Sequence, residues 1–179
     1  MSTQTTKKVL KAAGLSKTGY LTITGIFAAL ITIMTAYICH IPIGVNGGYV
    51  HFGDSLIYLA AALLPTPYAL AAAAIGGGLA DLLTAPMWAP ATIIIKMLII
   101  IPFTNKSTKI ITTRNIVATI IAYFISGFGY FVAEYILFEN WSVLLVSMSQ
   151  SFIQSFGSAI FFIVLGVALD RAQLKSRFF

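Results

Sequence analysis

The sequence is poor in charge: of its 179 residues only 9% are Asp, Glu, Lys or Arg. Soluble domains carry about 25%, so the composition excludes a cytosolic enzyme, a nucleic-acid-binding module and a disordered chain. Its single cysteine, Cys39, cannot form an internal disulfide. There are two histidines, His40 and His51, and no His-Glu-x-x-His metal pattern. The chain has no Gly-x-Ser-x-Gly elbow. The run Gly76-Gly77-Gly78 lacks the Lys-Ser/Thr of a phosphate loop and reads instead as close helix packing. ATP-driven work would therefore need a partner. What the chain has in excess is hydrophobicity, 59% of residues with a mean hydropathy of +0.94. It reads as an integral membrane protein. At about 20 residues per span, this length allows at most about six.

Six apolar runs are present. The first extends from Tyr20 to Ile41, and the others cover about 53–64, 68–85, 90–103, 115–138 and 142–169. The first run is too long for a signal-peptide core and is taken as a retained span. Pro65, Pro67, Pro86 and Pro90 punctuate the middle runs. The second and fourth are short for a full crossing, which suits helices that extend into flanking residues or border a protein-lined cavity. The expected fold is all-α, a compact six-transmembrane-helix bundle over 20–169, with a polar segment 1–19 and a basic tail 170–179. Ten of the eleven basic residues fall in three places: Lys7, Lys8, Lys11 and Lys17; Lys106, Lys109 and Arg114; and Arg171, Lys175 and Arg177. With six spans all three lie on one side, which puts both termini in the cytoplasm. This alternation accounts for the net charge of +6 without invoking nucleic acid. Localisation to a plasma membrane, multi-pass, follows.

Four ionisable residues fall within or at the edge of these runs: Asp54, Asp81, Lys96 and Glu134. Asp or Lys at mid-helix costs roughly 2.5–3.5 kcal/mol on insertion scales, so such residues face protein or a wet cavity. At about 1.5 Å rise per residue, Lys96 and Glu134 lie roughly 8–9 Å below the outer surface. Asp54 opens the second span and Asp81 lies about one turn from the outer end of the third. One cavity open to the outside would hold all four. The alternative is a buried Lys–carboxylate pair that only locks helices together.

The first outer loop, 41–54, carries Gly44, Gly47, Gly48 and Gly53, which allow close backbone approach to a ligand. Asn46, Tyr49 and His51 add hydrogen-bonding groups there. Trp88 and Tyr130 are candidates for stacking on a flat heteroaromatic ligand, although aromatic residues also line membrane interfaces. Ser147, Ser151, Gln154 and Ser158 share one helix face. They suit interhelical hydrogen bonds, and Gln150 and Gln154 also lie within reach of the cavity. Gly25 and Ala29 form a small-xxx-small pair that admits a partner helix, or packs internally.

Taken together, the chain resembles the substrate-binding S components of energy-coupling factor (ECF) vitamin transporters over nearly its whole length, Tyr20 to Ala168. The most specific stretches are His51-Phe-Gly-Asp54, Gly76-Gly-Gly-Leu-Ala-Asp81 and Ala89-Pro-Ala-Thr-Ile-Ile-Ile-Lys96. They are similar to the branch associated with hydroxymethylpyrimidine or vitamin B6 forms (pyridoxine, pyridoxal, pyridoxamine). Gly25-x-x-x-Ala29 sits where that family has an Ala-x-x-x-Ala motif. The resemblance implies a non-enzymatic transport subunit of a prokaryotic cell membrane, with no cofactor of its own. It would capture a vitamin from outside and dock on a transmembrane T component through Gly25 and Ala29. It would release its cargo inside after toppling, with ATP hydrolysed by two cytoplasmic partner ATPases. Asn46, Tyr49, His51, Asp54, Asp81, Trp88, Lys96, Tyr130, Glu134 and Gln154 would form the vitamin site, with the first loop as its gate. Asp81 or Glu134 would bind ring-nitrogen or amine protons, and Lys96 would meet a phenolate oxygen or be held by Asp81. Two readings compete. One is a stand-alone proton-coupled carrier. The other is a membrane-embedded metal-dependent hydrolase using His51, Asp54, Asp81 and Glu134.

Overall fold

The computed structural model describes residues 15–38, 40–42, 49–139 and 141–179. In chain order these form α1 (Lys17–Ala36), β1 (Ile41–Pro42), β2 (Tyr49–Val50), α2 (Asp54–Leu63), α3 (Thr66–Thr84), α4 (Ala89–Leu98), α5 (Thr113–Phe138), α6 (Leu144–Arg171) and α7 (Leu174–Phe178). Single 3-10 turns, Pro86–Trp88 and Trp141–Val143, lead into α4 and α6. The two strands pair antiparallel, Ile41 opposite Val50 and Pro42 opposite Tyr49. Asn46 and Cys39 lie outside the described residues, as do Lys7, Lys8 and Lys11.

Local chemistry sets the helix ends. The Ser16 hydroxyl accepts from Gly19 N at the start of α1, and Thr112 accepts from Asn115 N at the start of α5. Pro67 and Pro90 sit in the first turns of α3 and α4, where a missing N–H costs nothing. α5 stops at Glu139, in the left-handed region at φ 51°, which closes the helix as an αL cap. α1 stops at Ala36, short of the Ile41 expected from hydrophobicity. His40 Nδ1 meets the Thr35 carbonyl at 3.1 Å, and the next apolar residues turn away into β1.

α1, α3, α5 and α6 are long and apolar enough to cross a membrane, while the Asp54–Leu63 and Pro86–Leu98 segments are shorter. The long helices present large apolar side chains outward, among them Leu21, Ile75, Ile120, Phe124, Phe152 and Val164. Their inward faces carry Thr24, Thr32, Ser126, Ser151 and Ser158. This inside-out arrangement suits lipid as the surrounding solvent. Nine of the ten residues of α2 are buried, so that helix is walled by protein rather than lipid. Its Tyr58 stacks on Phe103 at 5.0 Å, and Phe162 meets Tyr58 edge-on at 5.9 Å. α1 and α3 approach closely at Gly76, where a β-carbon would come within 2.7 Å of Ile31 Cβ and 2.9 Å of the Ala28 carbonyl. Thr32 Oγ1 donates to the Gly76 carbonyl there.

The polar connection before α5 is held by side chains. Asn115 Nδ2 donates to the Thr104 and Ile110 carbonyls, and its Oδ1 accepts from Thr104 N. The Asp170 carboxylate accepts from Ile110 N and Ile111 N. Lys17, this connection and α7 share one end of the bundle, its basic end. The loop residues Tyr49 and His51 lie at the other.

Candidate functional site

The end remote from the basic connection holds a cavity of about 60 Å³. That is small against the roughly 300–1,000 Å³ of typical small-molecule sites. Tyr49 and His51 line it from the hairpin side, Asp81 from the last turns of α3, and Trp88 from the turn before α4. Tyr130 and Glu134 come from α5, and Ser147, Gln150, Ser151 and Gln154 from α6. Trp88 meets Tyr130 edge-on at 6.3 Å and Phe138 at 6.2 Å.

Asp81 is 4% exposed. Its two oxygens accept from the hydroxyls of Tyr49 and Thr92, and Thr92 is 3.0 Å from the Tyr130 hydroxyl. Asp81 thus ties the hairpin to α3, α4 and α5. Glu134 accepts from Ser147. Burial and the neighbouring Asp81 carboxylate push the Tyr49 phenol up, so it stays a donor. Its ring stacks on His40 at 4.0 Å. His51 Nδ1 accepts from Gly53 N at 3.0 Å, which leaves the ring proton on Nε2. Burial holds the His51 pKa down to about 3, so the imidazole facing the cavity is neutral.

The structure separates the four charged residues that the sequence suggested would share one cavity. Asp81 and Glu134 line its wall. Asp54 and Lys96 do not line it, and meet each other at 2.7 Å with side chains 0% and 1% exposed. Lys96 pairs with Asp54 rather than Asp81. Gln154 joins the two levels: it lines the cavity, and its Nε2 donates to Asp54 Oδ2 at 2.8 Å. The Lys96 ammonium lies 5.5 Å from the Tyr130 ring centre. Ser147, Ser151, Gln154 and Ser158 are all buried, as their shared face implied. Thr92 was missed by sequence reasoning. Its signal was its place four residues before Lys96, on the same helix face.

Among the described residues no three His, Cys, Asp or Glu side chains gather as a metal site. Gly25 and Ala29 are both exposed on α1, and a β-carbon at Gly25 would meet nothing within 4 Å. By contrast Ala60 to Ala62, Ala69, Ala72 and Ala73 are buried and serve internal packing.

Residues 16–171 match the family described as "ECF-type riboflavin transporter, S component". A protein of Pyrococcus woesei, described as "Uncharacterized protein in gap 3'region", is 31% identical over 107 residues, covering 59% of this chain and 72% of that protein.

Proposed function

The chain belongs to the S-component family of ECF-type transporters, and on that premise we propose that it captures a small nitrogen heteroaromatic vitamin, hydroxymethylpyrimidine or a vitamin B6 form. The observation that carries this reading is the pair of carboxyl groups on the cavity wall. Two carboxyl groups, Asp81 and Glu134, face a space walled by Trp88, Tyr130 and Tyr49, while the nearby lysine is already paired below with Asp54. Such a wall favours a flat ring with an amino group or a ring nitrogen that carries a proton. The neutral His51 and the amide of Gln154 supply hydrogen bonds to hydroxymethyl groups. The cavity faces outward, both termini and the basic end face the cytoplasm, and the two short helices complete a six-helix membrane domain. The exposed Gly25–Ala29 face docks on a T component, and two ATPases drive release.

Riboflavin is the second reading, favoured by the description of the matched family. The two are separated by calorimetry on the purified full chain in detergent, with pyridoxine, pyridoxal, pyridoxamine, hydroxymethylpyrimidine, thiamine and riboflavin. Nanomolar binding of a B6 form or hydroxymethylpyrimidine, unaffected by chelators, is the expected result. Tight riboflavin binding would shift the cargo to the flavin. Absence of any binder, with robust proton-driven uptake by the chain alone in proteoliposomes, would overturn the subunit reading in favour of a carrier.

A further inference from the structure

The short helix α2 carries a charge contact at each end. At its first turn stands Asp54, bound to Lys96 and Gln154. At its last turn the Ala62 carbonyl accepts from Lys175 Nζ at 2.6 Å. Lys175 comes from α7, beyond the last long helix, and is 6% exposed. Burying a lysine is costly. Here the ammonium sits on the Ala62 carbonyl, in the last turn of a helix, where the helix dipole favours a cation. Asp54 satisfies the complementary preference at the N-terminus. α7 is itself anchored: Phe179 packs on the core, and Asp170, at the end of α6, binds Ile110 N and Ile111 N.

We infer that Lys175 is a positioning residue for the cavity at the opposite end of the bundle, acting through α2. The inference rests on the proposed binding function. α2 is about 15 Å long at 1.5 Å per residue, and its close-packed surroundings transmit a displacement rather than absorb it. A shift along its axis moves Ala62 away from Lys175 and Asp54 away from Lys96 and Gln154 together. Gln154 is the side chain that passes this to the cavity, because it touches Asp54 and lines the ligand space. The C-terminal helix therefore sets the floor of a site on the far side of the membrane domain. A contact that lifts α7 at the basic end would loosen the ligand.

The test uses the full chain in nanodiscs with Lys175→Met and Lys175→Arg, and with Arg171→Met as a control for loss of a nearby exposed charge. Binding of hydroxymethylpyrimidine and pyridoxamine is measured by calorimetry, and amide exchange is followed at residues 54–58. Lys175→Met is expected to weaken binding about tenfold, a coupling of ordinary size between distant sites, and to speed exchange at 54–58. Lys175→Arg and Arg171→Met should remain within about twofold of the parent. Wild-type affinity in Lys175→Met, equal weakening in Arg171→Met, or faster exchange confined to 60–64 and 172–179 would each overturn the inference. If Lys175→Met does not fold, Lys175→Gln takes its place in both measurements, with the same results expected and the same results fatal. If neither compound binds the parent chain, the proposed cargo fails, and the exchange at 54–58 still decides the role of Lys175.

Discussion

Neither Asp54 nor Lys96 has water to fall back on, so each depends on the other at 2.7 Å. Removing one partner of such a pair costs about 3–5 kcal/mol because the survivor is left buried and uncompensated. Asp54→Asn should therefore lower the thermal midpoint in detergent sharply, and Asp54→Leu combined with Lys96→Met should recover much of the loss. His51 gives a pH prediction. Its folded pKa of about 3 lies below the ordinary 6.5, so between those values the unfolded chain binds the extra proton. Stability is full above about pH 6.5 and falls on acidification, by up to about 1.4 kcal/mol per unit. Melting curves from pH 7 to 4.5 should show this decline, and His51→Asn should flatten it. The four intramembrane charges were legible in the sequence because each is too costly for lipid. Their pairing was not, because it depends on how far the short α2 brings Asp54 beneath the cavity and toward Lys96.

Among the elements, the close approach of α1 and α3 is most sensitive to one residue. At Gly76 the obstacles are the β-carbon of Ile31 and a backbone carbonyl, and neither can rotate away. Gly76→Ala should cost about 1–3 kcal/mol by overpacking, measured as a drop in the thermal midpoint. Gly25→Ala on the open face of α1 should leave the midpoint unchanged. The apolar runs located the helices to within a few residues at most ends. They misplaced the end of α1, because the apolar Tyr37, Ile38 and Ile41 lie beyond the helix, and hydrophobicity carries no information on where a chain turns. The hairpin of Ile41–Pro42 with Tyr49–Val50 was hidden for a similar reason. Two-residue strands have no periodicity to detect, and the loop's glycines indicated only freedom to turn.

For the whole molecule, Gly25 and Ala29 lie on the outer surface of α1 with space above them. Gly25→Leu should fold normally and bind ligand with unchanged affinity, and should abolish ATP-driven uptake once the energising subunits are present. Loss of binding as well would show that this face serves the chain's own packing. The separation of charge has an electrical consequence. Carboxyl groups gather around the cavity, and lysines and arginines at the basic end. An importer that swings its binding site inward carries any ionised carboxylate with it. Against an inside-negative potential that costs about 2.3 kcal/mol per charge for each 100 mV crossed in full. A cationic ligand lodged against Asp81 and Glu134 cancels part of this charge, so the loaded site travels at less cost than the empty one. In a chain that works as proposed, the same voltage would push any ionised carboxylate back toward the outside once the cargo has left, and so reset the site for the next capture.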